Sequence, residues 1–343
     1  MQPYQKPFLT IREQIAHLES KGLDCGDHAL AAEALHDLGY YRLTAYTYPF
    51  RRLLGSSEPR ETPLQFRADE YVAGARLADG VALARFDAGL RDKVFDGIAM
   101  LEISLRFQVA HVLGRRDSFG HTDRAFLDKR ACDSLPPVPL RSKFATELDY
   151  WLGSYDRLVD RASSEDFIQH TRAKYSSEIP IWIAVETFDF GGLTRLYGLL
   201  ERSDQNKIAK RFGMSDGRLF HRWLIGLGVV RNHCAHHNRL WNRRLSTTLA
   251  AIPAATVSAR LHHLSVVAER SKLYSWMAVL GYSLRSYNDT SNWHRTFKTQ
   301  MSKFPPGLSA TPGADMGFPV GWQAEDLWAS APETSRALPT PIG

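Results

Sequence analysis

The stretch Arg231-Asn232-His233-Cys234-Ala235-His236-His237, inside GLGVVRNHCAHHNRLWNRR, gathers guanidinium and imidazole groups on one predicted helix. Histidine is the side chain that exchanges a proton near neutral pH, and arginine can offset the charge that builds on a phosphorane. Together they suffice for cleavage of RNA by its own 2′-hydroxyl, with no metal and no cofactor. On a helix advancing about 100° per residue, Asn232, His236, Arg239 and Arg243 fall within a sector of about 60°. That face joins an amide, an imidazole and two guanidiniums. Arg231 projects about 140° from His236, so its long side chain, a distorted helix start or a second subunit is needed to bring the two together.

An arginine followed four to six residues later by a histidine is a weak pattern by itself. With 32 Arg and 13 His in the chain, roughly three or four matches arise by chance. Arg12 to His17, Arg106 to His111, and Arg115 or Arg116 to His121 satisfy the same spacing, so context must select. A solvated basic helix surface is the plain alternative for the Arg239/Arg243 face. His233, His237 and Trp241 occupy the other side and read as packing groups. His233 and His237, one turn apart, could also ligate zinc with Cys234, although no carboxylate or further cysteine lies nearby.

The elements that must carry these residues read as helices. LTIREQIAHLESKGL and HALAAEALHDLGYYRLTAY have helical apolar spacing, and LLGSSEPRETPLQFR, residues 53–67, reads as a loop. From about Asp69 to Leu113 a long helical stretch puts Val94, Ile98, Leu101, Leu105 and Val109 on one stripe. Glu102 sits at the edge of that stripe with Arg106 one turn later, and a charge placed there needs a partner. IPIWIAVETFDFGGLTRLYGLLE reads as an apolar helix interrupted at Gly191-Gly192. The motif helix begins after Ser215 and Asp216, plausible N-cap residues, and 255–282 is helical again. No alternation is sustained enough to build a sheet, so the fold class is all-α. After Ser302 the chain becomes Pro/Gly-rich, and Trp322 and Trp328 are expected to dock that tail.

At 343 residues, 44% of them hydrophobic, the chain can bury a sizeable core. It has no run of eighteen apolar residues, and MQPYQKPFLT lacks the apolar segment of a secretory signal; a cytoplasmic protein without a membrane partner is expected. Cys25, Cys132 and Cys234 are far apart and do not read as a disulfide framework. Of the 43 basic residues 32 are arginine, a bias that suits bidentate binding of phosphate, or a GC-rich coding sequence. Tyr40, Tyr41, Tyr46 and Tyr48 are expected in the core, with RNA-base stacking as the alternative.

The chain also resembles the abortive-infection (Abi) family of the AbiD/AbiF type. The resemblance rests on KPFLTIREQIAHLESKGL, LGYYRLTAYTYPF, Glu102-x3-Arg106 in MLEISLRFQVAH, PIWIAVETFDFGGLTRLY, VVRNHCAHHNRLWNRR and MGFPVGWQAEDLW, in the family's order over nearly the full length. It implies an N-terminal helical region over 1–66, a HEPN-like helical bundle over 67–302 and an irregular tail over 303–343. It further implies anti-phage defence by a toxin-like endoribonuclease acting as a homodimer. In that reading Arg231 and His236 are catalytic, Asn232, Glu102 and Arg106 support them, and Arg239 and Arg243 guide the RNA backbone. The alternatives are an RNA-binding protein that grips a noncoding RNA without cutting it, and a phage-sensing module using the bundle as a dimer platform.

Overall fold

Short polar side chains set the helix starts. In the computed structural model, which describes residues 3, 5–175, 178–267 and 269–329, Thr10 and Glu13 form a reciprocal capping box on α1 (Ile11–Ser20). Asp27 caps α2 (His28–Leu38) by accepting from the Ala29 and Leu30 amides, and α3 (Tyr40–Thr47) follows a positive-φ Gly39. The segment expected as a loop is flanked by two short antiparallel strands, β1 (Arg51–Leu53) and β2 (Arg67–Tyr71). Each is too short to show period-two patterning, which is why the sequence displays no strand. The other regular elements of the described chain are helices.

The long stripe becomes one helix, α4 (Leu77–Gly114). The described residues form two compact units, one of those up to residue 91 with 299–315 and the other of those in 92–298 with those from 316 onward. In the first, Asp87 is fully buried and accepts from Tyr46 Oη at 2.7 Å and Arg91 Nη1 at 2.6 Å. The buried pair is tolerable because each partner is hydrogen-bonded as well as charged. Tyr46 is therefore a core residue, while Tyr41 stands largely exposed.

The second unit holds the remainder of α4, then α5 (Lys129–Cys132), α6 (Glu147–Arg161) with its Thr146/Asp149 capping box, and α7 (Asp166–Lys174). The apolar segment at 179–200 breaks at Phe188-Asp189 rather than at the glycines: α8 (Ile181–Ala184) continues as a 3-10 turn, Val185–Thr187, up to that break, and Asp189 caps α9 (Phe190–Leu199). α10 (Arg202–Arg211) leads to α11 (Gly217–Ala235), which Asp216 caps as expected. Residues 254–266 form 3-10 turns instead of the expected helix. The helix proper is α12 (Leu273–Tyr287), buried on every side from Leu273 to Arg285. α13 (Trp293–Met301) and the short α14 (Pro312–Met316) follow.

α11 and α12 approach closely: a Cβ on Gly226 would lie 1.8 Å from the Trp276 ring. The tail lies against the same region. Trp322 and Trp328 are buried and meet edge to face at 5.1 Å, and Phe318 stacks with Phe297. Arg285, itself buried, donates to the carbonyls of Asp326, Leu327 and Ala329, which offsets part of the cost of burying its charge. The end of the tail reading, 330–343, lies outside the described residues.

Candidate active site

The motif sits where α11 stops. Ala235 is the last helical residue, His236 is the C-cap, and His237 takes a left-handed conformation with φ 52°. The His237 amide donates to Cys234 O at 3.0 Å and the Asn238 amide to His233 O at 2.9 Å, the paired bonds of a Schellman ending. The residue in the left-handed position is normally glycine, because a Cβ is crowded there. A histidine in that place explains why the sequence reads as an uninterrupted helix. The expected single face of Asn232, His236, Arg239 and Arg243 is accordingly corrected: Arg239 and Arg243 lie beyond the helix, in a turn in which Arg243 Nε donates to Arg239 O at 2.9 Å. A distorted helix does occur, at the end of the helix rather than its start.

Arg231, on the last turn, is half-buried with its guanidinium 5.5 Å over the Phe95 ring of α4. Glu102, about two turns further along α4, is close enough for Arg231 to stabilise its charge. Glu102 also accepts from Arg106 Nη2 at 2.7 Å, and the same Nη2 donates to Phe188 O at 2.6 Å. Burial holds the Glu102 carboxyl above the usual carboxylate range, and Arg106 and Arg231 pull it only part of the way back. The intrahelical pair anticipated from the sequence is thus also a tertiary junction between α4, the Phe188 break and α11. Arg231 Nε and Arg106 Nε are both shielded from solvent without an acceptor.

His236 and Asn232 are exposed, and His233 is half-buried. Burial, with Arg243 and His236 nearby, lowers the pKa of His233, and its ring faces Asn238 Nδ2 at 3.4 Å. Cys234 is buried. No group of three or more His, Cys, Asp or Glu side chains suited to a metal occurs among the described residues. Arg116, His121 and His111, from other Arg–His matches, are engaged elsewhere. Arg116 is tied to Asp204 at 2.7 Å and Glu201 at 2.9 Å, and His121 is 1% exposed. His111 stacks on Phe107 at 5.6 Å between ring centroids.

A profile described as Abi-like protein matches residues 33–242, from the middle of α2 to the motif turn. The chain belongs to the Abi-like family. Membership connects it with abortive-infection defence, and the matched span contains Glu102, Arg106, Arg231 and His236. No match was found to a curated protein or to a solved structure. No helix among the described residues is long and apolar enough to cross a membrane.

Two participants carried no signal in the sequence. Phe95 lies outside any motif and is recognisable only once α11 crosses α4. His237 matches the histidine pattern, but its backbone role follows from its left-handed φ alone.

Proposed function

We propose that this Abi-like protein is a metal-independent endoribonuclease of abortive-infection defence, toxin-like in action and built on a HEPN-type bundle. The observation that carries the reading is the setting of the motif. Arg231 is seated against Phe95 and Glu102, while His236 stands on the exposed helix cap six chain positions before Asn242 and directly after the Arg231 turn. A guanidinium positioned by an aromatic face and a nearby carboxylate, yet in no salt bridge among the described residues, is one that a phosphate can engage through its outer nitrogens.

In the reaction the 2′-hydroxyl gives up its proton to a base, its oxygen bonds to the adjacent phosphorus, and the phosphorus–O5′ bond breaks as O5′ takes a proton. The products are a 2′,3′-cyclic phosphate and a 5′-hydroxyl. His236 handles one of these protons; Arg231 holds the phosphate and offsets its developing charge. Asn232 orients the strand, Glu102 and Arg106 hold Arg231, and Arg239 and Arg243 attract the RNA backbone. The active form is a homodimer. Support for pairing comes from α4, where Phe95, Ile103 and Phe107 remain 39%, 66% and 58% exposed beside Glu102 and Arg106, an outward apolar stripe of the kind that marks interfaces.

RNA cleavage by the wild type and by His236→Ala, with EDTA present, tests the reading. Cleavage that persists in EDTA and disappears in the variant is expected. Cleavage lost in EDTA and restored by a metal overturns it, and unaltered RNA affinity and toxicity in His236→Ala favours binding without cleavage.

A further inference from the structure

The second unit contains a cleft between α9 and α11 with a volume of about 540 Å3, within the roughly 300–1,000 Å3 of small-molecule sites. His221, Leu224, Ile225, Gly228, Val229 and Asn232 line its α11 side, spaced three and four apart as one helix face must be. Phe190, Thr194 and Gly198 line the α9 side. The glycines give the cleft its width. A Cβ on Gly228 would rest 3.5 Å from the Phe190 ring, in ordinary contact, so a longer side chain there would project into the space.

Polar groups are few and fixed. Thr194 is 7% exposed and its Oγ1 has no hydrogen-bond partner, an unsatisfied group that a ligand would satisfy. Burial brings the His221 pKa down to about 4, so its ring is neutral near pH 7. Asn232 stands at one end, adjacent in the chain to Arg231. Ser134 and the mutually paired Glu147 and Arg195 complete the polar lining; apolar walls with two hydroxyls, a neutral imidazole, an amide and a carboxylate already matched by its own guanidinium suit a planar heterocycle better than a phosphate.

Cations flank the cleft on both sides. One neighbouring depression shares Gly191 and Arg195 with it and includes Arg157 and Arg161; another shares Gly198 and His221 and includes Arg130, Arg202 and Arg218. Arg161, Arg195 and Arg202 are engaged by Asp189, Glu147 and Asp216. Arg130, Arg157 and Arg218 have no carboxylate partner among the described residues. An apolar slot between unpaired guanidiniums reproduces the alternation of base and phosphate along a single strand.

We propose that this cleft seats one base of a single-stranded RNA, with Arg157 on one side and Arg130 and Arg218 on the other holding the neighbouring phosphates. Through Asn232 the seated base fixes which phosphate reaches Arg231 and His236, and so sets a sequence preference. The last step rests on the ribonuclease reading; the seating of the base does not.

Binding is therefore measured with His236→Ala protein, by fluorescence anisotropy, on strands of about 12 nucleotides: oligo(A), oligo(C), oligo(U) and an abasic ribose-phosphate strand. At least one base-bearing strand should bind roughly tenfold tighter than the abasic one, the scale of one polar base contact. Gly228→Leu should erase that advantage without changing abasic affinity, and Thr194→Val, nearly isosteric, should compress the differences among bases. Arg130→Ala with Arg218→Ala should weaken all strands by a common factor. Circular dichroism confirms that each variant is folded, and Thr194→Val carries the test if Gly228→Leu is not. An advantage that survives both variants, or no advantage at all, overturns the proposal. Free nucleoside monophosphates binding as tightly as the strands also overturn it, in favour of a nucleotide site. Metal-independent cleavage by the wild type alongside such a result would leave the ribonuclease reading standing.

Discussion

Glu102→Gln should separate stability from activity. The carboxylate is 15% exposed and bonded to Arg106 at 2.7 Å. Two unit charges about 4 Å apart attract by ~4 kcal/mol at an effective dielectric constant of about 20. Yet the Glu102 pKa is raised, so desolvation outweighs that attraction in the folded protein. A carboxyl whose folded pKa is above its unfolded one binds more protons when folded, so its contribution to stability falls as pH rises from the ordinary carboxylate range through the raised value. The neutral amide is spared that loss and still accepts from Arg106, which keeps Phe188 O at 2.6 Å and Glu186 at 3.5 Å. The change in stability is therefore within about 1 kcal/mol, or about 1–2 °C in Tm. Arg231, however, loses the charge that positions it, and small misplacement of a positioning group costs up to about 100-fold in rate. RNA cleavage should fall about 10- to 100-fold. Thermal denaturation and single-turnover cleavage on the same protein read the two effects. Full cleavage would refute Glu102 as the residue that positions Arg231, and a fall in Tm of 10 °C or more would refute the energetic argument.

Three further outcomes follow from the packing and the helix end. His237→Gly should raise stability by about 1 kcal/mol, because the left-handed position penalises a Cβ; equilibrium denaturation would show it, and a loss would mean that the imidazole matters more than the backbone. Gly226→Ala should lower stability by about 1–3 kcal/mol or more, since its methyl would overlap the Trp276 ring, and an unchanged Tm would contradict that packing. His121 is buried with its pKa brought down to about 4 by desolvation. The unfolded chain therefore binds the proton first, and stability present above about pH 6.5 is lost as pH falls toward 4, by about 2–3 kcal/mol from this group. Urea titrations across that range should show the slope, reduced in His121→Phe; a flat profile in the wild type would contradict it.

Helix starts and core stripes were legible in the sequence because they depend on local chemistry: Asp216 caps α11, and Val94, Ile98, Leu101, Leu105 and Val109 are all buried. The end of α11 was not. Its stop signal is a backbone conformation adopted by His237, where a glycine would have announced it, so Arg239 and Arg243 were projected onto a helix that does not reach them. The Glu102–Arg106 pair was visible as an i, i+4 spacing. Its contact with Phe188 O and its proximity to Arg231 are tertiary, and no spacing along the chain encodes them. The strands at 51–53 and 67–71 leave no mark in the sequence because they are stabilised by pairing across a loop rather than by alternation within each one.

The central claim is that Arg231 and His236 cleave RNA without a metal. Incubating RNA with the purified protein in EDTA and mapping the new ends beside His236→Ala and Arg231→Ala tests it most directly. The account predicts 2′,3′-cyclic phosphate and 5′-hydroxyl ends from the wild type and none from either variant. Cleavage undiminished in both variants, or ends of the opposite polarity, would contradict it.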